Sequence, residues 1–182
     1  KPDNFYFYYQ YEPIGELWEK AKQYITPIKI SAPNEIFGNK VDRFAHKADI
    51  IRLQALIEEG GIYLDTDVLC LKPFTPFLNL EESKGGCVIG QEGAFWDNDG
   101  KLTNAILLAE PNSKFCRIWL ESFQSFNDNH WGGHGVKMPY ILSKQHPDLI
   151  TIEHYKKFTC RFILIIKVKI IRFIYFISRF NR

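Results

Sequence analysis

The stretch AHKADIIRLQALIEEGGIYLDTDVLCLKP, residues 45–73, decides how the chain is read. Residues 45–59 predict a helix, because Ile50, Leu53, Leu56 and Ile57 recur at helical spacing and share one face. Gly60-Gly61 ends that helix, and the apolar run Ile62-Tyr63-Leu64 predicts a short strand. The strand delivers two carboxylates, Asp65 and Asp67, one residue apart. In open α/β sheets, ligands collect beyond the carboxyl ends of strands. Two carboxylates at such an edge suit Mg²⁺ or Mn²⁺, hard cations held by one or two carboxylates together with substrate phosphates. Asp49 and Arg52 lie three residues apart, on one side of the helix. Both flank its apolar stripe and are expected to be half-buried. The Asp can accept from sugar hydroxyls, and the Arg can fork onto a phosphate or hold the Asp. An ion pair that merely fixes the helix is the alternative.

Outward from this stretch, strands and helices alternate. Upstream, residues 4–9 read as a strand, Pro13 to Tyr24 as a helix with Leu17, Trp18 and Ala21 on one side, and Ile28-Lys29-Ile30 as a short strand. Downstream, Val68-Leu69-Cys70-Leu71 and Cys87-Val88-Ile89-Gly90 read as strands, and Asp97-Asn98-Asp99-Gly100 as a turn. Ala105 to Ala109 is an extended or helical apolar run. A helix from Pro111-Asn112 through Phe126 carries Phe115, Ile118, Trp119 and Phe123 on one face. The loop Gly132-Gly133-His134-Gly135 precedes a helix near Tyr140–Lys144, and Ile150-Thr151-Ile152 is a last strand. The pattern predicts an α/β domain around a mixed sheet.

Composition narrows the function classes. The 182 residues are 46% hydrophobic and 24% charged, ordinary for a globular domain. Net charge is +2, but eight Lys/Arg and no acids follow Glu153, so residues 1–153 hold 15 basic against 21 acidic residues. An acidic body gives no support for a nucleic-acid binder. No charge-free apolar run reaches membrane-spanning length. The four cysteines are widely spaced, with no zinc pattern. They read as buried thiols, with a disulfide in a lumenal compartment as the alternative. Residues 155–182 form a separate basic, apolar tail. Read as a helix, it places Arg161, Lys169, Arg172 and Arg179 on one stripe, suited to an anionic membrane surface. Its Ile/Phe/Lys bias equally fits translated non-coding or frame-shifted sequence.

Asp49-x-x-Arg52 followed by Gly60-Gly61-Ile62-Tyr63-Leu64-Asp65-Thr66-Asp67 resembles the signature of glycosyltransferases with a DXD sugar-binding motif. These are the family-32 group, with fungal mannosyltransferases, capsular polysaccharide synthesis enzymes and clostridial toxin glucosyltransferase domains; the animal α-1,4-galactosyltransferases are related. Thr103 to Ala109 is similar to the family's Asn-containing segment, and Trp131 through Leu149 to its later Gly-rich loop and helix. The resemblance covers residues 4–154, taken as the catalytic core. It implies a GT-A-like nucleotide-binding sandwich, a UDP- or GDP-sugar donor, Mn²⁺ or Mg²⁺, a glycan, glycolipid or protein acceptor, and retention of anomeric configuration. By position, Asp65 and Asp67 match the metal-binding DXD pair. Asp49 and Arg52 match the pair at the donor sugar, Ala45 and Tyr63 match positions lining the donor pocket, and Asn104 matches a residue on its acceptor side. Asp49 and Asp67 are the residues to which the resemblance assigns catalysis, through positioning and electrostatics rather than a named base. Family members begin with an earlier strand and continue past residue 154, so the core is expected to be incomplete at both ends. Eukaryotic members are Golgi membrane proteins, which sets the expected location.

Other residues are open to two readings. His134 is a loop residue or a catalyst, and Trp131 stacks on a sugar ring or packs in the core. Glu92 faces an acceptor or does not. His46 reads as a hydrogen-bonding residue at the start of the main helix. Two rival functions remain: a degenerate domain that binds sugar nucleotide without turnover, and a haloacid-dehalogenase-type phosphatase. In the latter, Asp65 of Asp65-Thr66-Asp67-Val68 would be the nucleophile, and Asp49-x-x-Arg52 would have no role.

Overall fold

The computed structural model describes residues 4–68, 70, 72–78, 84–91, 102–153 and 174–179, the last segment as backbone. Glu92, Asp97 to Gly100, Leu69, Leu71, Cys160 and the rest of the tail lie outside the described residues. The elements are β1 (Asn4–Tyr9), α1 (Glu16–Ala21), β2 (Thr26–Lys29), β3 (Glu35–Ile36), β4 (Asn39–Lys40), α2 (Phe44–Glu59), β5 (Gly61–Asp65), β6 (Cys87–Gln91), β7 (Leu102–Ala109), α3 (Lys114–Glu121), α4 (Met138–Gln145), β8 (Thr151–Glu153) and β9 (Ile174–Arg179). Seven strands form one mixed sheet in the order β2-β1-β9-β5-β7-β6-β8, and β3 and β4 make a separate small hairpin. β1 pairs parallel with β2, and β6 with β8; β9 runs antiparallel to both β1 and β5.

Strand alternation sorts the core onto two faces. Tyr63, Cys87, Ile89, Leu107 and Ala109 face α2 and α3, joining Ile50, Leu53, Leu56, Phe115, Trp119 and Phe123. Ile62, Leu64, Val88, Ile106 and Leu108 point the other way, under Val68, Phe74, Phe77 and Leu78. The turn from α2 into β5 needs its glycines. Gly60 closes the helix by donating its N–H to Leu56 O at φ 66°, and a Cβ there would meet Pro111 Cδ at 2.5 Å.

Several local expectations shift. The first helix starts at Glu16 rather than Pro13, and Leu17 is 82% exposed while Trp18 alone is buried. Val68 and Cys70 are not in a strand. The run through Ala109 is a strand, because its alternate residues pack on opposite faces of the sheet. Ile174–Arg179 is a strand rather than a helical stripe, paired with β1 over six residues and with β5 over four. Cys70, Cys87 and Cys116 are free thiols; Cys70 is exposed, against the buried-thiol reading, while Cys87 and Cys116 are buried and hydrogen-bonded to one another, the contact that pushes the Cys87 thiol up. Among the described residues, no helix is long and apolar enough to cross a membrane.

Candidate functional site

α2 buries four polar residues along with its apolar ones: His46, Lys47, Asp49 and Arg52. Burial of such groups is costly unless each finds a partner, and their partners define the site. Asp49 Oδ1 lies 3.0 Å from Arg52 Nη2 and accepts from Asn104 Nδ2 at 2.8 Å. Arg52 donates through Nε to Ala48 O at 3.4 Å and through Nη1 to Asn104 O, and the same Nη1 lies 3.5 Å from Asp65 Oδ1. Its guanidinium carbon sits 4.5 Å from the centre of the buried Tyr63 ring, a cation–π contact. Tyr63 in turn donates its hydroxyl to Asp65 Oδ1 at 2.5 Å. β5, β7 and α2 thus meet in one charged network at the carboxyl end of β5.

Burial pushes the Asp49 carboxyl above its ordinary range, against the opposing pull of Arg52, His46 and Asn104. Its second oxygen faces the five-residue π-helical turn Gly133–Lys137. A Cβ built on Gly135 would stand 2.4 Å from Asp49 Oδ2 and 2.9 Å from Asn104 Nδ2, so only glycine fits this approach. Gly135 carries no chemistry of its own, and its importance shows only in space; the Gly-rich run was the one sequence signal for it.

Of the residues singled out from sequence, Asp49, Arg52, Tyr63, Asp65 and Asn104 come together. Asp49 and Arg52 are more deeply buried than expected, at 6% and 4% exposure. Asp67 is exposed just beyond the strand, and Ala45 is half-buried in the first turn of α2; no described contact joins either to the network. His134 turns away: its Nε2 lies 3.2 Å from Ser122 O, and its ring packs on Phe123 and Phe126. Burial pushes its imidazole below the usual histidine range, so it reads as a packing residue. Trp131 is 69% exposed, which removes the core-packing reading. Asp128 carried no sequence signal, yet it accepts the Arg43 N–H at 3.3 Å and contacts His46 Nδ1 at 2.8 Å, capping α2 from a distant loop.

Among the described residues, no three His, Cys, Asp or Glu side chains gather into a metal-binding group. The pair Asp65 and Asp67 fits a more open arrangement. Asp65 is about one-third exposed, both of its described contacts fall on Oδ1, and Asp67 is in solvent. Two carboxylates reachable from outside are what Mg²⁺ or Mn²⁺ needs when phosphates and water complete its shell. A separate cleft beyond the carboxyl ends of β1 and β2 is lined by Tyr8, Tyr9, Gln10, Ile30, Lys47 and Ile51. There the Lys47 ammonium donates to Asn34 Oδ1 at 2.5 Å.

Similarity to known proteins bears on what this arrangement does. Residues 7–84 match the family model described as a glycosyltransferase sugar-binding region containing the DXD motif. Over 153 residues, 84% of this chain, the sequence is 37% identical to Glucan organizing enzyme 1 of Cryptococcus neoformans var. grubii serotype A. Together these matches support a glycosyltransferase-family protein. It spans 42% of the length of that relative. No solved structure matches it.

Proposed function

We propose that the chain is the core of a metal-dependent, configuration-retaining hexosyltransferase of GT-A type, moving a sugar from a UDP- or GDP-sugar to a glycan, glycolipid or protein acceptor. The observation that carries this reading is the Asp49–Arg52–Asp65–Asn104 network at the carboxyl end of β5. A haloacid-dehalogenase-type phosphatase leaves Asp49, Arg52 and Asn104 without a task; here they hold one another and Asp65.

Asp49 is assigned to the donor-sugar hydroxyls, with Arg52 and Asn104 fixing its orientation through Oδ1. Arg52 also sets the charge near Asp65, and Tyr63 braces both. Asp65 and Asp67 would hold Mn²⁺ or Mg²⁺, which when bound offsets the charge of the departing diphosphate. Preorganised groups that need no rearrangement as charge develops are the main physical source of catalysis in such a site. The aromatic cleft beside Lys47, beyond the ends of two parallel strands, suits the nucleoside part of the donor. The relative's name directs the first acceptor trials to glucans, and the family resemblance favours the Golgi as location.

The test is Mn²⁺-dependent binding and hydrolysis across a panel of UDP- and GDP-sugars, repeated with Asp67→Asn. That residue is exposed, so the variant should keep its fold and lose metal-dependent nucleotide affinity. Unchanged affinity would refute the metal assignment. Nucleotide binding without turnover would favour a degenerate domain, and hydrolysis of a simple phosphate ester would overturn the transferase reading.

A further inference from the structure

Among the described residues, Ser113 Oγ and His46 Nε2 are buried without a hydrogen-bond partner, and the second stands beside the donor-site network. His46, one turn before Asp49 on α2, has a side chain only 4% exposed. Its Nδ1 meets Asp128 Oδ1 at 2.8 Å. Burial alone would raise the Asp128 carboxyl, but hydrogen bonds from His46 and from the backbone of Arg43 and Asp42 bring it below the ordinary range. Asp128 engages Nδ1, so Nε2 is the one hydrogen-bonding atom of the ring left to satisfy. Nε2 is buried and has no hydrogen-bond partner among the described residues, a standing cost. Capping α2 accounts for Asp128 and for Nδ1, but not for Nε2.

Against the same imidazole lies the Trp131 indole, ring centres 5.8 Å apart at 40°, with Phe126 edge-on at 5.2 Å behind it. Trp131 is 69% exposed. A large aromatic face left in water beside an unmet hydrogen-bonding nitrogen matches the two needs of a sugar ring, whose C–H face is apolar and whose rim is hydroxyl. The place is also right. Trp131 leads into the turn whose Gly135 abuts Asp49, and His46 is close enough to Asp49 to favour its ionised form.

We propose that Trp131 and the Asp128-held His46 form a carbohydrate acceptor subsite beside the donor site: a sugar ring stacks on the indole, and as the indole swings from the imidazole one hydroxyl hydrogen-bonds with His46 Nε2. The word acceptor rests on the transferase reading; the carbohydrate site itself does not. The experiment titrates the full chain with laminaritetraose, maltotetraose and mannotetraose. Binding is followed by calorimetry and by the histidine ring nitrogens in ¹H–¹⁵N spectra, with the His46 signal assigned by its loss in His46→Gln. At least one oligosaccharide should bind and move the His46 Nε2 resonance. Trp131→Ala, a surface change that leaves folding intact, should weaken that binding roughly tenfold, the size of one lost aromatic contact. No binding by any of the three, or equal binding by Trp131→Ala, overturns the subsite. Parallel titrations with Mn²⁺–UDP and Mn²⁺–GDP separate the two claims. Oligosaccharide binding through Trp131 without nucleotide binding upholds the subsite and refutes the transferase, while nucleotide binding without oligosaccharide binding does the reverse.

Discussion

Replacing Arg52 with Met deletes the guanidinium while keeping much of its apolar stem. The Arg52 side chain is 5% exposed and reaches Asp49 at 3.0 Å and Asp65 at 3.5 Å, besides the carbonyls of Ala48 and Asn104. In the variant, buried Asp49 is left near Asp65 without its cation. An exposed helical pair of this spacing contributes about 0.3–0.5 kcal/mol, whereas removing one partner of a buried pair costs about 3–5 kcal/mol. Burial selects the larger figure, a substantial share of the roughly 5–15 kcal/mol that holds a domain folded. The pH dependence has a definite sign. Burial already holds the Asp49 carboxyl above the ordinary carboxylate range in the folded chain, and loss of Arg52 raises it further. An acid with a raised folded pKa contributes most below its unfolded pKa, and that contribution falls as pH rises through the folded value. The deficit of Arg52→Met against the parent should therefore be smallest near pH 4 and widen towards neutrality. Urea unfolding followed by circular dichroism across that range measures it. A neutral-pH cost below about 1 kcal/mol, or one independent of pH, would refute the reasoning. The double variant Asp49→Leu/Arg52→Met removes both charges and should recover part of the loss; equal instability would assign the effect to packing instead.

Three further outcomes follow from the same geometry. Gly135→Ala drives a Cβ into the Asp49 carboxylate and Asn104 amide; it should cost about 1–3 kcal/mol by overpacking and lower sugar-nucleotide affinity more than free-nucleotide affinity, and a binding titration showing equal effects would speak against a sugar contact at Asp49. Asp128→Asn keeps the shape of the cap but not its charge. Because its hydrogen bonds from His46 and the backbone hold the folded Asp128 below the ordinary carboxylate range, its stabilisation of about 1–2 kcal/mol should be present at neutral pH and vanish as acid protonates the parent below that range; a cost that persists at pH 2 in paired denaturation curves would contradict this. Deleting residues 154–182 unpairs β1 and β5 from β9 and should lower the melting temperature or abolish a cooperative transition; an unchanged melt would remove β9 from its place in the sheet.

The parts of this structure written in short-range pattern were readable in the sequence. Helical spacing of Ile50, Leu53 and Leu56, the Gly60-Gly61 stop and the short Ile62–Leu64 run gave α2 and β5 nearly to their ends. The carboxylates followed because a strand's end fixes where they emerge. What failed depended on distant partners. Leu17 looks like a core residue by spacing, yet nothing covers it enough to bury it. The Ile174–Arg179 segment satisfies helical and extended periodicity alike, and only the unpaired edges of β1 and β5 decide between them. Asp128 caps a helix more than eighty residues away in sequence, and Gly135 is constrained by a carboxylate on that helix. Neither relation leaves a local trace.

The charges of the network favour a divalent cation on grounds separate from the motif. Asp49 and Asp65 share a single guanidinium, that of Arg52, and Asp67 stands exposed at the same strand end. With every group ionised, three carboxylates face one cation, leaving two negative charges where an anionic diphosphate is proposed to bind. Mutual repulsion would oppose that binding. Raising Asp49 relieves part of it, and burial does raise Asp49, but a protonated Asp49 would be a poorer acceptor for sugar hydroxyls. A 2+ ion held by Asp65 and Asp67 would match the remaining excess. It also lets Asp49 stay ionised, because Asp65 is among the charges that push it up. On this account metal and donor sugar would be coupled through Asp65: Mn²⁺ held by Asp65 and Asp67 should strengthen the hold of Asp49 on the sugar.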